Sequence, residues 1–521
     1  MHVCLVSPPM SLRQTESLPS FAPVLPLGLA YLAASLRSNG HSVNVIDCQM
    51  AGRKNQVLEG DLLTIGLPWI QIKERIEASH PDIVGVGCTF SSRFLNALKI
   101  AGLVKEIDST VPVVMGGIHP TIKPFEVLNQ SEIDFVVLGE GEKALLDIVD
   151  GKPHNQIDGF GYKQDGTIHV NPKTKFIENL DSLPFPARDL FLEYFRNQAQ
   201  SVLRGRFDIH NSHRNSVITS RGCPNSCAFC SIHSQWGFKW RARTPENVVE
   251  ELKEMKEKYH VREISFDDDN LTLDRKRMIR LCKLMISEKI DLEWDTPNGV
   301  SVITLNRELL LLMKKAGCWS LNLAIESGDP HILRNIIHKP LTLGKAAQVV
   351  KDCKALSIKT QGYFVIGMPG ETIETMNHSL DFARSLPLDA IGVFNAVPFP
   401  NTELYENAVR DGYLAEVDFS KVYADNDLQR SALLSTPWLS SEEVLAFQKR
   451  FYDKFDKSNF YRLLKFLRRK TQNQLGRIRK LGTSGGARMD GNIPMLEIKF
   501  QIPKKIPVSN TERIDGTKKE K

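Results

Sequence analysis

Residues 220–236 read SRGCPNSCAFCSIHSQW. The stretch holds Cys223, Cys227 and Cys230 in a C-x3-C-x2-C spacing. Three thiolates on one short loop can hold three irons of a four-iron cluster and leave the fourth iron open, because Cys thiolates are the usual ligands of such clusters. The open iron needs an outside ligand, and the amino and carboxylate groups of S-adenosylmethionine can fill that place. Phe229, just before the last cysteine, can stack near the adenine of such a ligand. The competing reading is a zinc site. Zinc prefers four closed protein ligands, and His233 would have to be the fourth.

Working outward, the chain has 521 residues, which predicts two to four domains. Its formal charge of +6 is small for that length, so the placement of charge says more than its sum. The nine cysteines are Cys4, Cys48, Cys88, Cys223, Cys227, Cys230, Cys282, Cys318 and Cys353. Only the middle three cluster. A scattered odd number is not a disulfide framework, so the expected location is a reducing cytoplasm. The start, MHVCLVSPPM, has neither the basic region nor the apolar run of a secretory signal. No stretch approaches the roughly 18 apolar residues of a spanning helix. No nucleic-acid partner is expected.

Residues 1–151 alternate short apolar strands (VCLV, SVNVID, DIVGVG, VPVVMGG, DFVVLG) with helical spacing at 25–38, 70–78, 94–107 and 142–149. That alternation predicts an α/β domain, a doubly wound parallel sheet with helices on both faces. Ligands of such sheets bind outside the carboxyl ends of the strands. Four loops fall there: Ser7-Pro8-Pro9; Thr89, Phe90, Ser91 and Ser92; Gly116, Gly117, Ile118, His119, Pro120 and Thr121; and Gly139, Glu140, Gly141 and Glu142. Glycines let backbone approach a large flat ligand, and the hydroxyls of Thr89, Ser91 and Ser92 can reach its amides or tail.

Residues 152–213 read as a connector, with a hairpin around Asp165-Gly166 and a proline-punctuated run, ENLDSLPFPARDLF. Residues 214–423 contain six strands alternating with helices, which predicts a partial barrel open at one side. Its strands end on Asp267-Asp268-Asp269-Asn270, on Glu326-Ser327-Gly328, on Gly367-Met368-Pro369-Gly370-Glu371, and on Pro398-Phe399-Pro400-Asn401-Thr402. The acidic run can accept from an ammonium group. Trp236, Trp240, Lys239, Arg241 and Arg243 follow the cysteines and either face the ligands or pack the barrel. Residues 424–482 predict a helical region, amphipathic and increasingly basic toward Lys480. Such a helix packs on the barrel or touches an anionic membrane surface. Residues 483–521 turn to Gly, Pro and Lys and predict a poorly ordered tail.

The cysteine triad resembles the signature of the radical S-adenosylmethionine superfamily. PLGLAYLAASLR, MGGIHPT and LGEGE resemble the cobalamin-binding domain that precedes many of its barrels. One departure stands out. The usual Asp-x-His-x-x-Gly motif after the first strand is replaced by SPPMSLRQ, which has no histidine. The resemblance therefore implies cobalamin without a histidine lower ligand; His119, on another loop, is the one alternative for that place. It implies Cys223, Cys227 and Cys230 as cluster ligands. It implies Asp268 or Asp269 on the ammonium of S-adenosylmethionine, Glu326 or Ser327 on the ribose, and Gly367 and Gly370 in a turn beside the adenine. For cobalamin it implies Thr89, Ser91, Ser92, Gly116, Gly117, His119, Gly139, Glu140 and Gly141.

The implied activity is methylation of an unactivated carbon in a small-molecule or lipid-like substrate, by a 5'-deoxyadenosyl radical and methylcobalamin. Electrons would come from a donor such as flavodoxin or ferredoxin. A cyclase or rearrangement enzyme shares both domains and is the alternative. A tRNA methylthiotransferase would use Cys4, Cys48 and Cys88 for a second cluster, although Cys4 lies inside its strand. The non-enzymatic reading is a cobalamin carrier or sensor.

Overall fold

Runs of Val, Ile and Leu buried on two faces make strands that must be covered on both sides. In the computed structural model, which describes residues 1–13, 24–60, 62–192, 194, 214–414 and 432–455, five such runs pair in parallel. They are β1 (His2–Ser7), β2 (Ser42–Asp47), β3 (Ile83–Gly87), β4 (Val113–Gly116) and β5 (Phe135–Val137), in spatial order 2-1-3-4-5. Alternate residues of β1 enter opposite cores. Val3 and Leu5 meet the helices Leu27–Ser38 and Gly141–Val149; Cys4 and Val6 meet Trp69–Ser79 and Phe94–Ile107. The expected helices are thus found within two residues of their predicted starts.

The first sheet runs past the expected boundary at 151. A hairpin of β6 (Phe160–Gln164) and β7 (Thr167–Asn171) adds antiparallel to β5. Its turn residues Asp165 and Gly166 have φ of 51° and 72°, the left-handed pair that a tight hairpin requires. A second difference concerns SPPMSLRQ. Met10–Arg13 is a strand, not a loop, in a separate antiparallel sheet with Leu62–Ile65 and Gln56–Glu59.

The barrel has its six strands in chain order. β8 (Arg214–Val217), β9 (Glu263–Phe266) and β10 (Glu293–Asp295) form one sheet; β11 (Ser320–Glu326), β12 (Lys359–Ile366) and β13 (Ala390–Asn395) form another, with Val300–Ser301 on β11. The two halves meet at Trp294. Its N–H donates to the Gly317 carbonyl at 3.1 Å, and its own carbonyl accepts from Trp319 at 3.1 Å. The indole is fully buried, donates to the Ala316 carbonyl at 2.8 Å, and meets Phe266 edge-on at 5.1 Å. Helix starts are capped by side chains: Thr244 accepts from Asn247 with Pro245 in the first turn, and Thr372 and Thr375 form a reciprocal box.

The open edge of β13 is covered by the helix Ser441–Phe455. Gln448 donates to the Val393 carbonyl at 2.8 Å, and Tyr452 accepts from the Val393 N–H at 2.8 Å. Those bonds occupy backbone groups that an uncovered edge would offer to another chain. The basic residues expected beyond this helix lie outside the described residues. Among the described residues no helix is long and apolar enough to cross a membrane.

Gly317 sits at the seam with φ of 101°, and an added Cβ would lie 2.1 Å from the Leu292 carbonyl oxygen. Gly317→Ala is expected to lower stability by about 2 kcal/mol or more. Gly344→Ala, in a helix with open space around it, should be neutral or slightly stabilising. Chemical denaturation of the two variants checks the contrast.

Candidate active site

A parallel sheet of order 2-1-3-4-5 opens a crevice at the carboxyl ends of β1 and β3, where the strand order reverses. The chain places a cavity of about 750 Å³ there. Ser7, Thr89, Gly116, Gly117, Gly139, Glu140 and Gly141 line it from the first sheet. Ser220, Arg221, Trp236, Asp267 and Asp269 line it from the barrel. Two carboxyl-end edges therefore face one space. Gly116 presents bare backbone, with nothing closer than 3.9 Å to an added Cβ, and Gly85 and Gly87 clear one face of β3. A broad flat ligand can lie against such a wall, so the residues fit a corrinoid.

Not every loop residue expected at the ligand lines the cavity. Ser91, Ser92 and His119 are not among the cavity-lining residues. His119 is buried; its Nδ1 shares a hydrogen bond with Ser91 at 3.0 Å, and its ring packs on Phe94 at 4.5 Å. Burial pushes its pKa down to about 4. It is a neutral fastener between two loops. On the other side, Met10 and Leu12 of the small sheet line the cavity where the family's histidine motif would be.

Glu140 and Glu142 line the cavity but are held by arginines. Glu140 Oε1 accepts from Arg221 at 3.0 Å and from Arg241 at 2.7 Å, while its Oε2 accepts from the Ile177 N–H at 2.7 Å. Glu142 accepts from the second Arg221 nitrogen at 2.6 Å. All four side chains are buried. The Arg221 guanidinium is also flanked by the rings of Tyr31 and Trp236, at 5.4 and 4.9 Å. Burial opposes ionisation of Glu142, but Arg221 outweighs it and holds the carboxyl below its usual range. Arg221 is two residues before Cys223, so this clasp joins the LGEGE loop directly to the cysteine loop. Gln235 adds a bond to the Gly139 carbonyl at 3.0 Å.

The cysteine loop is tied down on its other side as well. Ala228 donates to the Ile337 carbonyl at 3.2 Å and accepts from Leu404 at 2.9 Å. Asn270 donates to Cys223 Sγ at 3.5 Å. His233, the would-be zinc ligand, bonds the Cys223 carbonyl at 3.0 Å and stacks on Phe238 at 3.8 Å. Among the described residues no three His, Cys, Asp or Glu side chains converge as a single ion requires. A four-iron cluster suits the loop better, because each thiolate takes a different iron. Burial pushes the Cys227 thiol up to about 11 and Cys230 to about 12, so they become ligands by losing their protons to a metal. Cys4, Cys48 and Cys88 are fully buried in the apolar core and line no part of the cavity.

The remaining candidates separate by what already holds them. Asp268 accepts from the Thr219 N–H and hydroxyl and from Ser220, at 3.1, 2.7 and 2.5 Å; it is a post for the strand leading to the cysteines. Asp269 lines the cavity and accepts from the Gly222 N–H at 3.2 Å. Burial raises its pKa to about 7. Glu326 has φ of 70° and is paired with buried Lys339 at 2.8 Å. Ser327 is taken up by Ser379 at 3.1 Å and by the Asp329 N–H at 3.1 Å. Gly367, with φ of 82°, would place a Cβ 2.9 Å from Val444 of the covering helix, and Gly370, with φ of 92°, one 3.2 Å from Ile336. Asn401 adopts φ of 64°, as expected where the family has glycine. Trp240, Arg241 and Arg243 pack the barrel: Trp240 donates to the Asn270 carbonyl at 3.1 Å, and Arg243 pairs with Glu251. Trp236 and Asp267, both flagged in the sequence, line the cavity, and so does Arg221, which the motifs did not single out.

Two family models match the chain: the B12 binding domain over residues 21–149 and the Radical SAM superfamily over 217–383. An uncharacterized methyltransferase of Pyrococcus horikoshii is 34% identical, covering 81% of this chain and 86% of its own. Cytidylyl-2-hydroxyethylphosphonate methyltransferase of Streptomyces wedmorensis is 30% identical, covering 75% of this chain and 78% of its own. The radical S-adenosylmethionine methyltransferase TsrM of Kitasatospora setae, solved with cobalamin and a [4Fe-4S] cluster, shares the fold. Its TM-score is 0.63 at 20% identity, over 80% of this chain and 79% of that one.

The clasp yields a test of its energetics. Arg221→Met leaves Glu142 buried without its partner and is expected to cost about 3 kcal/mol or more. Arg221→Met combined with Glu142→Met should recover much of that loss, since a buried pair replaced by apolar groups is far less costly than half a pair. Denaturant midpoints of the single and double variants measure it.

Proposed function

The chain belongs to the radical S-adenosylmethionine superfamily, with a B12-binding domain ahead of its barrel, and from that premise we propose that it methylates an unactivated carbon. The observation that carries the reading is the shared cavity: loops of the B12-type sheet form one wall and the approach to the cysteine loop forms the other. A carrier or sensor has no need of the second wall. The two relatives above, each covering three quarters of this chain or more, are methyltransferases, which favours methyl transfer over ring closure; a putative methylthiotransferase of Methanocaldococcus jannaschii is also 30% identical but covers only 54% of this chain.

Cys223, Cys227 and Cys230 would hold the cluster, and Asp269, the acid of the pair left facing the cavity, would take the ammonium of S-adenosylmethionine. Thr89 and the glycine loops would hold the corrinoid. When bound, the cluster with S-adenosylmethionine supplies hydrogen abstraction and the corrinoid supplies the methyl group. The protein's share is position: Asp268 fixes the strand before the cysteines, and the Arg221 clasp fixes the loop against the first sheet. A small-molecule or lipid-like substrate and a flavodoxin- or ferredoxin-type donor complete the proposal. A reducing cytoplasm is the proposed location, from the scattered odd number of cysteines in the sequence. A peripheral membrane contact would fall to the basic segment outside the described residues.

Anaerobic reconstitution followed by iron, sulfide and corrinoid analysis tests the cofactor set. One four-iron cluster with bound cobalamin is expected; two clusters and no cobalamin would sink the proposal. Replacing the three cysteines with Ala should abolish deoxyadenosine formation.

Asp269→Asn should weaken S-adenosylmethionine roughly tenfold or more at unchanged iron content, the loss of one charge-assisted bond. Equal affinity would remove Asp269 from the role.

A further inference from the structure

Among the described residues two arginines line the cavity, Arg93 and Arg221, and no lysine does. Their situations differ. Arg221 is neutralised by Glu140 and Glu142 and has no charge to spare for a ligand. The Arg93 guanidinium has no hydrogen-bond or ion-pair partner among the described residues. It is half-buried, at the end of the loop that follows β3, and so stands at the crevice where the strand order reverses. The 14-residue helix Phe94–Ile107 begins immediately after it, with no side chain capping its first turn. That helix end adds positive potential of the same sign. Among the described lining residues Arg93 is thus the cation left unmatched, whereas Glu140 and Glu142 are matched by arginines and Asp269 faces the cavity from the barrel.

An arginine left in this state suits an oxyanion, which its planar fork can meet with two hydrogen bonds. The peripheral groups of cobalamin are neutral carboxamides; its one anion is the phosphodiester of the nucleotide tail. We propose that Arg93 binds that phosphodiester and selects a corrinoid carrying its complete tail. This rests on the corrinoid reading above. Thr89 of the same loop and Ser7 at the carboxyl end of the adjacent β1 also line the cavity, and their hydroxyls can complete the oxyanion site.

The test compares cobalamin with cobinamide, which lacks the phosphate and nucleotide, by titrating the reconstituted full-length chain and following the corrinoid absorption spectrum. The wild-type chain should bind cobalamin more tightly than cobinamide. Arg93→Gln should weaken cobalamin roughly 10- to 100-fold and leave cobinamide within twofold, and Arg93→Lys, which keeps the charge without the fork, should fall between. An equal loss for both corrinoids, or no loss for cobalamin, overturns the assignment. Unchanged cobalamin affinity with lost methyl transfer would move the arginine to an anionic substrate and overturn it too. A wild-type chain that binds neither corrinoid would instead refute the cofactor reading, and this assignment with it.

Discussion

The architecture of the site depends on one buried ion-pair cluster. Glu140 and Glu142 belong to the first sheet, Arg221 and Arg241 to the approach and exit of the cysteine loop, and all four are withdrawn from water. Removing such charges from water is expensive, and the interaction repays it only where the geometry is tight and the remaining positions are bonded. Here they are. Glu140 has three donors, and Arg241 also donates to the Ile177 and Trp236 carbonyls at 2.8 and 3.1 Å. A cluster of this kind tolerates little sliding, because any shift strands a charge. It therefore sets the angle at which two carboxyl-end edges face each other, and that angle defines the cavity.

The connector reinforces the same arrangement from below. Arg188 is buried and reaches Glu251 at 2.6 Å and the Ser216 carbonyl at 3.0 Å, while Arg243 reaches the same Glu251 and the hydroxyl of Tyr31. Tyr31 belongs to the helix Leu27–Ser38 of the first domain and also flanks Arg221. The arginines after the cysteines were readable as ligand contacts or as packing, and the structure assigns them to packing between domains. Arg241 and Arg243 are spent inside the molecule, while Lys239 stays exposed and pairs with Glu178.

Much of the fold was legible because it follows from periodicity. Alternating apolar runs and helical spacing predict both sheets, and the cysteine spacing predicts the cluster loop without any tertiary information. The clasp was not legible: Glu140 and Arg221 are 81 residues apart, and nothing local in LGEGE or SRGC tells a ligand hook from an ion pair. The small sheet was missed for a related reason. MSLR has no strong alternation, and its partner strand Leu62–Ile65 lies about fifty residues downstream. His119 was drawn toward the cofactor by its loop, but its burial against Phe94 depends on packing that a motif does not encode.

The acidic run shows how geometry separates what spacing cannot. Asp268 and Asp269 are adjacent and chemically identical, and both end the same strand. Successive residues leaving a strand point to opposite sides, so one turns inward to the backbone and the other outward to the cavity. Asp268 meets three donors from Thr219 and Ser220 and is satisfied within the protein. Asp269 keeps a single backbone donor and a place in the cavity wall. The same distinction sorts Ser327, bonded to Ser379, from Thr89, which faces the cavity. Polar groups already bonded within the protein maintain the site. Those at the cavity wall with capacity to spare are the ones available to a ligand, and only tertiary structure tells the two apart.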